Sequence, residues 1–104
     1  MAVTNDIGDV KMLENTQFKV LKLNVNKTNM VKLCRSYFPL LKNKKFNDFY
    51  FFKSGSFFKL ECGSYEFHLS VCIGKVRLSE RYSDVSYVVK YDDLFKFDLV
   101  KEIC

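Results

Sequence analysis

The single histidine of this chain is the residue best suited to acid–base or metal chemistry. His68 lies four positions before Cys72 in a run that reads as a strand. A catalytic Cys–His pair requires the two side chains to be adjacent. Four residues of an extended strand span roughly 13 Å, which is too far for a hydrogen bond. The spacing therefore predicts a solvated strand histidine rather than a catalytic or metal-binding one.

Four cysteines could in principle form a zinc site or disulfides. None belongs to a CxxC pair, and their spacings match no zinc pattern. The first residues, MAVTNDIGDVKML, lack the basic segment and long apolar core of a secretory signal. We therefore expect a cytoplasmic protein whose thiols are reduced and mostly packed as small hydrophobic residues. These cysteines are Cys34, Cys62, Cys72 and Cys104.

Paired carboxylates occur at Glu61 and Glu66 and at Asp92-Asp93. General acid–base catalysis needs a cleft in which the two pKa values are shifted apart. The first pair is predicted to face each other near a hairpin tip, and the second to form a turn. The run KSGSFF also lacks the strand, loop and helix context of a phosphate-binding loop. The sequence predicts no enzyme, no cofactor, no metal site and no small-molecule substrate.

The elements begin with a strand and a helix. Residues 1–15 show no sustained periodicity and are predicted to be a partly ordered N-terminal arm, followed by a single α+β domain over 16–104. Residues 17–25 have the apolar content of a strand. A helix over about 29–41 is predicted from apolar residues at helical spacing, with Pro39 expected to end or kink it. Those apolar residues are Met30, Leu33, Cys34, Tyr37 and Leu41.

A three-stranded meander is predicted over residues 46–73, because turn signals at Ser54-Gly55 and Gly63-Ser64 separate strand-like runs. Two-residue loops there give registers in which one face is entirely apolar. The other face is aromatic near the first loop and polar around His68. The predicted core face holds Phe49, Phe51, Phe58, Leu60, Phe67 and Leu69.

The loop positions also predict which residues are cross-strand partners. The first loop places Phe51 opposite Phe58, and the second places Leu60 opposite Phe67. The two registers agree on which side chains share a face. This agreement is the main reason for predicting a meander.

Alternation of apolar and polar residues continues over 85–91 and 95–99. A three-residue loop at 92–94 would join these runs into a hairpin that places Tyr91 opposite Phe95. The predicted fold is therefore α+β, with one helix packed on a curled antiparallel sheet or partly open barrel of five to six strands.

The aromatic part of the second meander face is the predicted protein-binding site. It consists of Tyr50, Phe52, Phe57 and Lys59. Exposed aromatic side chains are typical of binding hot spots, and an open edge strand offers a second mode of docking. From the sequence, either the helix or a partner covers this face.

A basic loop after the helix supports an alternative function, nucleic-acid binding. Its residues are Arg35, Lys42, Lys44 and Lys45, close in sequence to the aromatic run. Lysines beside aromatic rings are typical of single-strand recognition. The net charge of +5 permits attraction to phosphate but does not require it.

Composition adds one indication of origin. The chain is rich in Phe, Lys, Val, Tyr and Asn and has one Pro, a bias typical of A/U-rich genomes such as those of many viruses. We therefore predict a small non-enzymatic protein-binding factor of the viral accessory or regulatory kind, acting through a sheet face or edge strand inside a host cell. The expected partner is a host protein or a second copy. No apolar run is long enough for membrane insertion.

Overall fold

The structure is a computed structural model that describes residues 9–14, 17–72 and 74–102, with side chains described from residue 21 onward. Two short 3-10 helices, Pro39–Asn43 and Phe46–Asp48, connect the main helix to the third strand. The other elements, in chain order, are β1 (Asp9–Glu14), β2 (Gln17–Leu23), α1 (Lys27–Tyr37), β3 (Phe49–Ser54), β4 (Phe57–Cys62), β5 (Tyr65–Cys72), β6 (Lys75–Glu80), β7 (Ser86–Val88), α2 (Tyr91–Lys96) and β8 (Val100–Glu102).

These strands form two antiparallel sheets in the described part of the chain. The larger sheet is a meander in the order β3-β4-β5-β6-β7, and the smaller one has the order β1-β2-β8. The larger sheet stays open rather than closing into a barrel, and α1 packs against it. The predicted α+β class, with one main helix on an antiparallel sheet, is confirmed.

The N-terminal part contains a strand that the sequence did not predict. Residues 9–14, inside the predicted arm, form β1 and pair with β2, placing Leu13 opposite Phe18. The predicted strand over 17–25 is present as β2, which β8 flanks on its other side. Residues 1–8 lie outside the described residues, so the division into arm and domain stays a prediction.

Helix α1 begins with a reciprocal cap made by two asparagines. The Asn29 backbone N–H donates to Asn26 Oδ1 at 3.0 Å, and the Asn26 backbone N–H donates to Asn29 Oδ1 at 2.8 Å. This capping box satisfies two of the donors that a helix start leaves without partners. The Asn29 amide also donates to the carbonyl of Asp98 at 3.2 Å. Asn29 is therefore buried and joins the start of α1 to the C-terminal segment.

Helix α1 is shorter than the predicted range of 29–41. It starts at Lys27 and ends at Tyr37, and the chain continues as the 3-10 helix Pro39–Asn43. Pro39 disfavours the α conformation at Phe38, and the φ of −125° and ψ of 89° at Phe38 end the helix. Leu41 is still fully buried, so it contributes to the core from the 3-10 turn.

The two meander hairpins have different outcomes. The second register is confirmed, with Leu60 opposite Phe67. The first is wrong by two residues: Phe51 pairs with Leu60 rather than Phe58, because Gly55 and Ser56 form the loop. Gly55 has a φ of 60°, which suits the first position of a two-residue hairpin loop.

The predicted core face is confirmed, because a shift of two positions leaves every side chain on its own side of the sheet. Phe49, Phe58 and Phe67 are at most 2% exposed, and the ring of Phe38 packs 4.7 Å from that of Phe67. Burial of one such ring contributes about 1.5–3 kcal/mol. Phe51, nearer the sheet edge, is only half-buried.

The predicted C-terminal hairpin is wrong, because residues 91–96 form α2. Asp92 and Asp93 lie in its first turn, where carboxylates favour the helix dipole. The rings of Tyr91 and Phe95 are neighbours at 5.1 Å, as the hairpin required, but through the i, i+4 spacing of a helix. Leu94, which the hairpin placed in a loop, is fully buried.

The end of α2 sends the chain back to the smaller sheet. The Leu99 N–H donates to the Leu94 carbonyl at 2.8 Å, and the Asp98 N–H to the Phe95 carbonyl at 3.1 Å. These two bonds form a Schellman motif, in which Asp98 adopts the left-handed backbone conformation. Asp98 has a φ of 57°, a conformation that usually favours glycine. Strand β8 then follows and pairs with β2.

Candidate docking face of the five-stranded sheet

The face of the larger sheet that points away from α1 carries most of the predicted site, and we call it the outer face. Cross-strand register arranges it in three rows that start on β3. The rows are Tyr50, Glu61, Glu66 and Arg81; then Phe52, Lys59, His68, Ser79 and Ser86; then Ser54, Phe57, Ser70, Arg77 and Val88.

Three aromatic side chains cluster at the β3–β4 side of the outer face. Tyr50, Phe52 and Phe57 are 63%, 47% and 38% exposed. Helix α1 packs on the opposite face, so the structure leaves this cluster uncovered and answers the question that the sequence left open. The ring of Phe57 meets that of His68 edge to face, with centroids 5.1 Å apart.

Lys59 completes the predicted protein-binding set and lies between the aromatic and acidic parts of the outer face. Its Nζ is 4.7 Å from the Phe52 ring centroid, a cation–π distance. The same ammonium is 3.2 Å from Glu61 Oε2. The four predicted residues, Tyr50, Phe52, Phe57 and Lys59, thus lie on one face of the sheet, on the edge strand β3 and its neighbour β4.

The centre of the outer face is a polar network around Glu66. His68 Nε2 lies 2.7 Å from Glu66 Oε1, and Arg81 Nη1 lies 3.0 Å from Glu66 Oε2. The hydrogen bond with His68 and then that with Arg81 hold the pKa of Glu66 below its usual range. His68 is half-buried and bonded to a neighbour on its own strand. The sequence did not predict Arg81 as a member of this face, because its contact with Glu66 spans 15 positions.

The predicted chemical groups are separated in the structure. Cys72 is exposed, whereas Cys34 and Cys62 are buried. Burial raises the pKa of both Cys34 and Cys62, so each stays a thiol near neutral pH. Glu61 and Glu66 are cross-strand partners as predicted. In the part of the chain that the structure describes, no three His, Cys, Asp or Glu side chains form a cluster that could hold a metal ion.

Tyr37 joins α1 and α2 at a surface cleft. The Tyr37 hydroxyl donates to Asp93 Oδ2 at 2.9 Å and accepts from the Lys90 backbone N–H at 3.3 Å. Burial raises the pKa of Tyr37, and so does its contact with the Asp93 carboxylate. Tyr37 therefore remains a hydrogen-bond donor, which suits a structural link between α1 and α2 better than proton abstraction.

The four residues of the basic alternative are placed in two ways. Lys42, Lys44 and Lys45 are exposed in the segment between α1 and β3. Arg35 is half-buried, with its guanidinium 5.4 Å from the Phe49 ring centroid and its Nη2 donating to the Lys44 carbonyl. Arg35 therefore stabilises the backbone of the basic segment through this hydrogen bond.

None of the helices within the described residues has the length and apolarity needed to cross a bilayer. No family model, no curated protein and no solved structure matches this chain.

Proposed function

We propose that this chain is a small non-enzymatic protein-binding factor whose partner docks on the outer face around Tyr50, Phe52, Phe57 and Lys59. The observation that supports this function is the exposure of three aromatic side chains on one face, beside an edge strand. A monomer rarely leaves such a cluster open to water unless it binds something.

The sheet makes this cluster suitable for binding before a partner arrives. Aromatic side chains supply large contact areas, and those at the centre of an interface often carry most of its free energy. Phe52 is stacked under Lys59, and Phe57 packs against His68, so both rings have neighbours that restrict them. A rigid surface loses less conformational entropy on binding than a flexible one.

The composition extends this proposal to the origin of the protein and the compartment in which it acts. A bias toward Phe, Lys, Tyr and Asn supports a viral accessory or regulatory factor acting in the cytoplasm of a host cell. Its partner is then a host protein, with a second copy of the chain as the other candidate.

The proposal is tested by site-specific photocrosslinking. A benzophenone amino acid at position 52 is expected to give a discrete crosslinked product with a cell extract, or with the purified chain alone if the partner is a second copy. The matched control places it at Tyr82, which is 78% exposed in the turn after β6. Docking is supported by a crosslinked product that forms from position 52, becomes weaker when Tyr50→Ser is added, and does not form from position 82. Equal products at both positions, or none at position 52, would refute it.

One observation favours nucleic-acid binding as a second function. Lys42, Lys44 and Lys45 are three exposed cations within four residues. Binding of an oligonucleotide that weakens steeply with salt and with Lys44→Gln would establish this alternative. Glu61 and Glu66 on the outer face make the aromatic cluster itself a poorer surface for phosphate.

A further inference from the structure

Strand β3 is the edge of the larger sheet beside the aromatic cluster. It is hydrogen-bonded to β4 and has no strand on its other side in the described part of the chain. The outer backbone groups of an edge strand can pair with another strand. Successive side chains of β3 alternate between faces, so Tyr50 and Phe52 lie on the outer face and Lys53 on the core side.

A cavity of about 210 Å³ lies at the end of this edge. It forms where the β3–β4 hairpin meets β2 and the segment that follows it. Its walls include Lys53 of β3, Phe58 of β4, Lys22 and Leu23 of β2, and residues 24–26. The cavity therefore combines apolar walls with side chains from both sheets.

The charged residues that line this cavity are both lysines, and the cross-strand partner of Lys22 outside the lining is Asp9. Lys22 and Lys53 both line it, and none of its other lining residues is acidic. The Lys53 Nζ lies 6.0 Å from the ring centroid of Phe58, another wall residue. The ion pairs of Glu61 and Glu66 are made with Lys59, His68 and Arg81 and not with these lysines. Two like charges at one cavity favour an anion between them.

We infer that β3 accepts an extended acidic segment of another protein as a sixth strand, with an acidic side chain seated between Lys22 and Lys53. This inference rests on the proposed protein-binding function and specifies the partner. Because side chains of an added strand also alternate, acidic residues face Lys53 while the intervening residues pack beside Tyr50 and Phe52. The recognised segment therefore has an acidic residue beside Lys53 and apolar or β-branched residues on the side of Tyr50 and Phe52.

Two other occupants fit this edge less well. A second copy would bring its own β3, and FYFFKS contains a lysine and no acid. Two chains of net charge +5 would also repel each other. A nucleic acid supplies negative charge but has no peptide backbone to pair with the outer groups of β3. An acidic peptide supplies both.

The probe is a fluorescein-labelled peptide, acetyl-Val-Glu-Val-Glu-Val-Glu, titrated at low salt and followed by fluorescence anisotropy. Four matched probes separate the contributions: the same peptide with Gln for Glu, two versions of the peptide N-methylated at every second residue in opposite phases, and an oligothymidylate of six nucleotides. The acidic peptide is expected to bind more tightly than the Gln peptide, the oligonucleotide and one of the two N-methylated peptides. N-methylation keeps the charges but removes the donors needed for strand addition in one of the two phases.

Variants of the protein locate the charge. Lys53→Gln and Lys22→Gln are each expected to weaken binding of the acidic peptide by about two- to five-fold, the size of an exposed ion pair. Lys75→Gln is the matched control, since Lys75 is also exposed but lies on β6. These lysines are at the surface, so their removal is not expected to unfold the chain.

Amide chemical shifts of the ¹⁵N-labelled protein identify the binding mode. Added peptide is expected to perturb β3 and residues 22–26 and to slow hydrogen exchange at the outer amides of β3. Equal affinity for the Glu and Gln peptides, binding of the oligonucleotide alone, or shifts confined to residues 42–45 would each overturn the inference. Crosslinking at position 52 with a cellular partner is a separate readout, so failure of the acidic probe is distinguishable from failure of the proposed function.

Discussion

Asp98 offers the sharpest test of the C-terminal architecture, because two substitutions there change stability in opposite directions. It occupies the left-handed position of the Schellman motif at the end of α2, with a φ of 57°. A residue with a Cβ pays about 1–2 kcal/mol in this conformation, with Asp near the lower end. Glycine avoids that strain but gives the unfolded chain about 0.5–1 kcal/mol more entropy.

Asp98→Gly is therefore expected to leave the free energy of unfolding unchanged or raise it by about 0.5 kcal/mol. Asp98→Val is expected to lower it by about 1–2 kcal/mol, because a β-branched side chain tolerates positive φ poorly. Both variants lose the carboxylate, so their difference of about 2 kcal/mol reports the backbone alone. They keep the Asp98 carbonyl that accepts from the Asn24 and Asn29 amides at 2.9 and 3.2 Å.

Urea denaturation followed by circular dichroism measures this difference, which corresponds to about 10 °C in Tm for a domain of this size. A C-terminal hairpin would reverse the order, since Val is favoured over Gly in a strand by up to about 1 kcal/mol. A Val variant as stable as the Gly variant would therefore refute the helix and its cap.

Two further predictions concern ionisable groups. The lowered pKa of Glu66 makes its contribution to stability present above the unfolded value of about 4.3 and lost as pH falls through the lower folded value. Urea midpoints of the wild type and Glu66→Gln should thus differ at pH 7 and converge as the pH falls through the lowered folded value; a constant gap would argue against the Glu66 network. Cys72 is expected to react with iodoacetamide at pH 8 before Cys34 and Cys62, because these two thiols are buried and their pKa values are raised. Mass spectrometry of peptides from the native protein checks this order, and prior labelling of Cys34 would contradict it.

Much of the sheet could be predicted because the face on which a strand residue lies depends only on whether its position is odd or even. The first hairpin register was wrong by two residues, yet Phe49 and Phe58 kept the predicted face. The sequence did contain the information for the correct loop. The predicted loop at Gly63-Ser64 has Gly first, and the same choice at Gly55-Ser56 gives the observed register.

The C-terminal part could not be predicted from alternation, because its pattern fits two periods. Tyr91 and Phe95 are neighbours in a hairpin with a three-residue loop and also at i, i+4 of a helix. The burial of Leu94 and the pairing of β8 with β2 decide between them, and both depend on residues distant in sequence. Acidic residues at the start and Lys96 near the end were the local signals for a helix.

The candidate site was predictable in its members but not in its exposure. Register alone placed Tyr50, Phe52 and Lys59 on one face, whereas the side chosen by α1 determines whether they meet water. The cavity between Lys22 and Lys53 was not predicted, because it joins two sheets whose relative position the sequence does not encode locally. Long-range packing, rather than local propensity, creates both features.

The route of the chain between the two sheets has a consequence for the order of folding. The larger sheet is made of hairpins between consecutive strands, so the loops that must close are short. The smaller sheet is completed only when β8 reaches β2, and the Asn24–Asp98 hydrogen bond beside this pair spans 74 positions. Contacts of such long range form slowly. On a ribosome the meander can assemble as it emerges, while β2 must wait for the last strand before its second edge is covered.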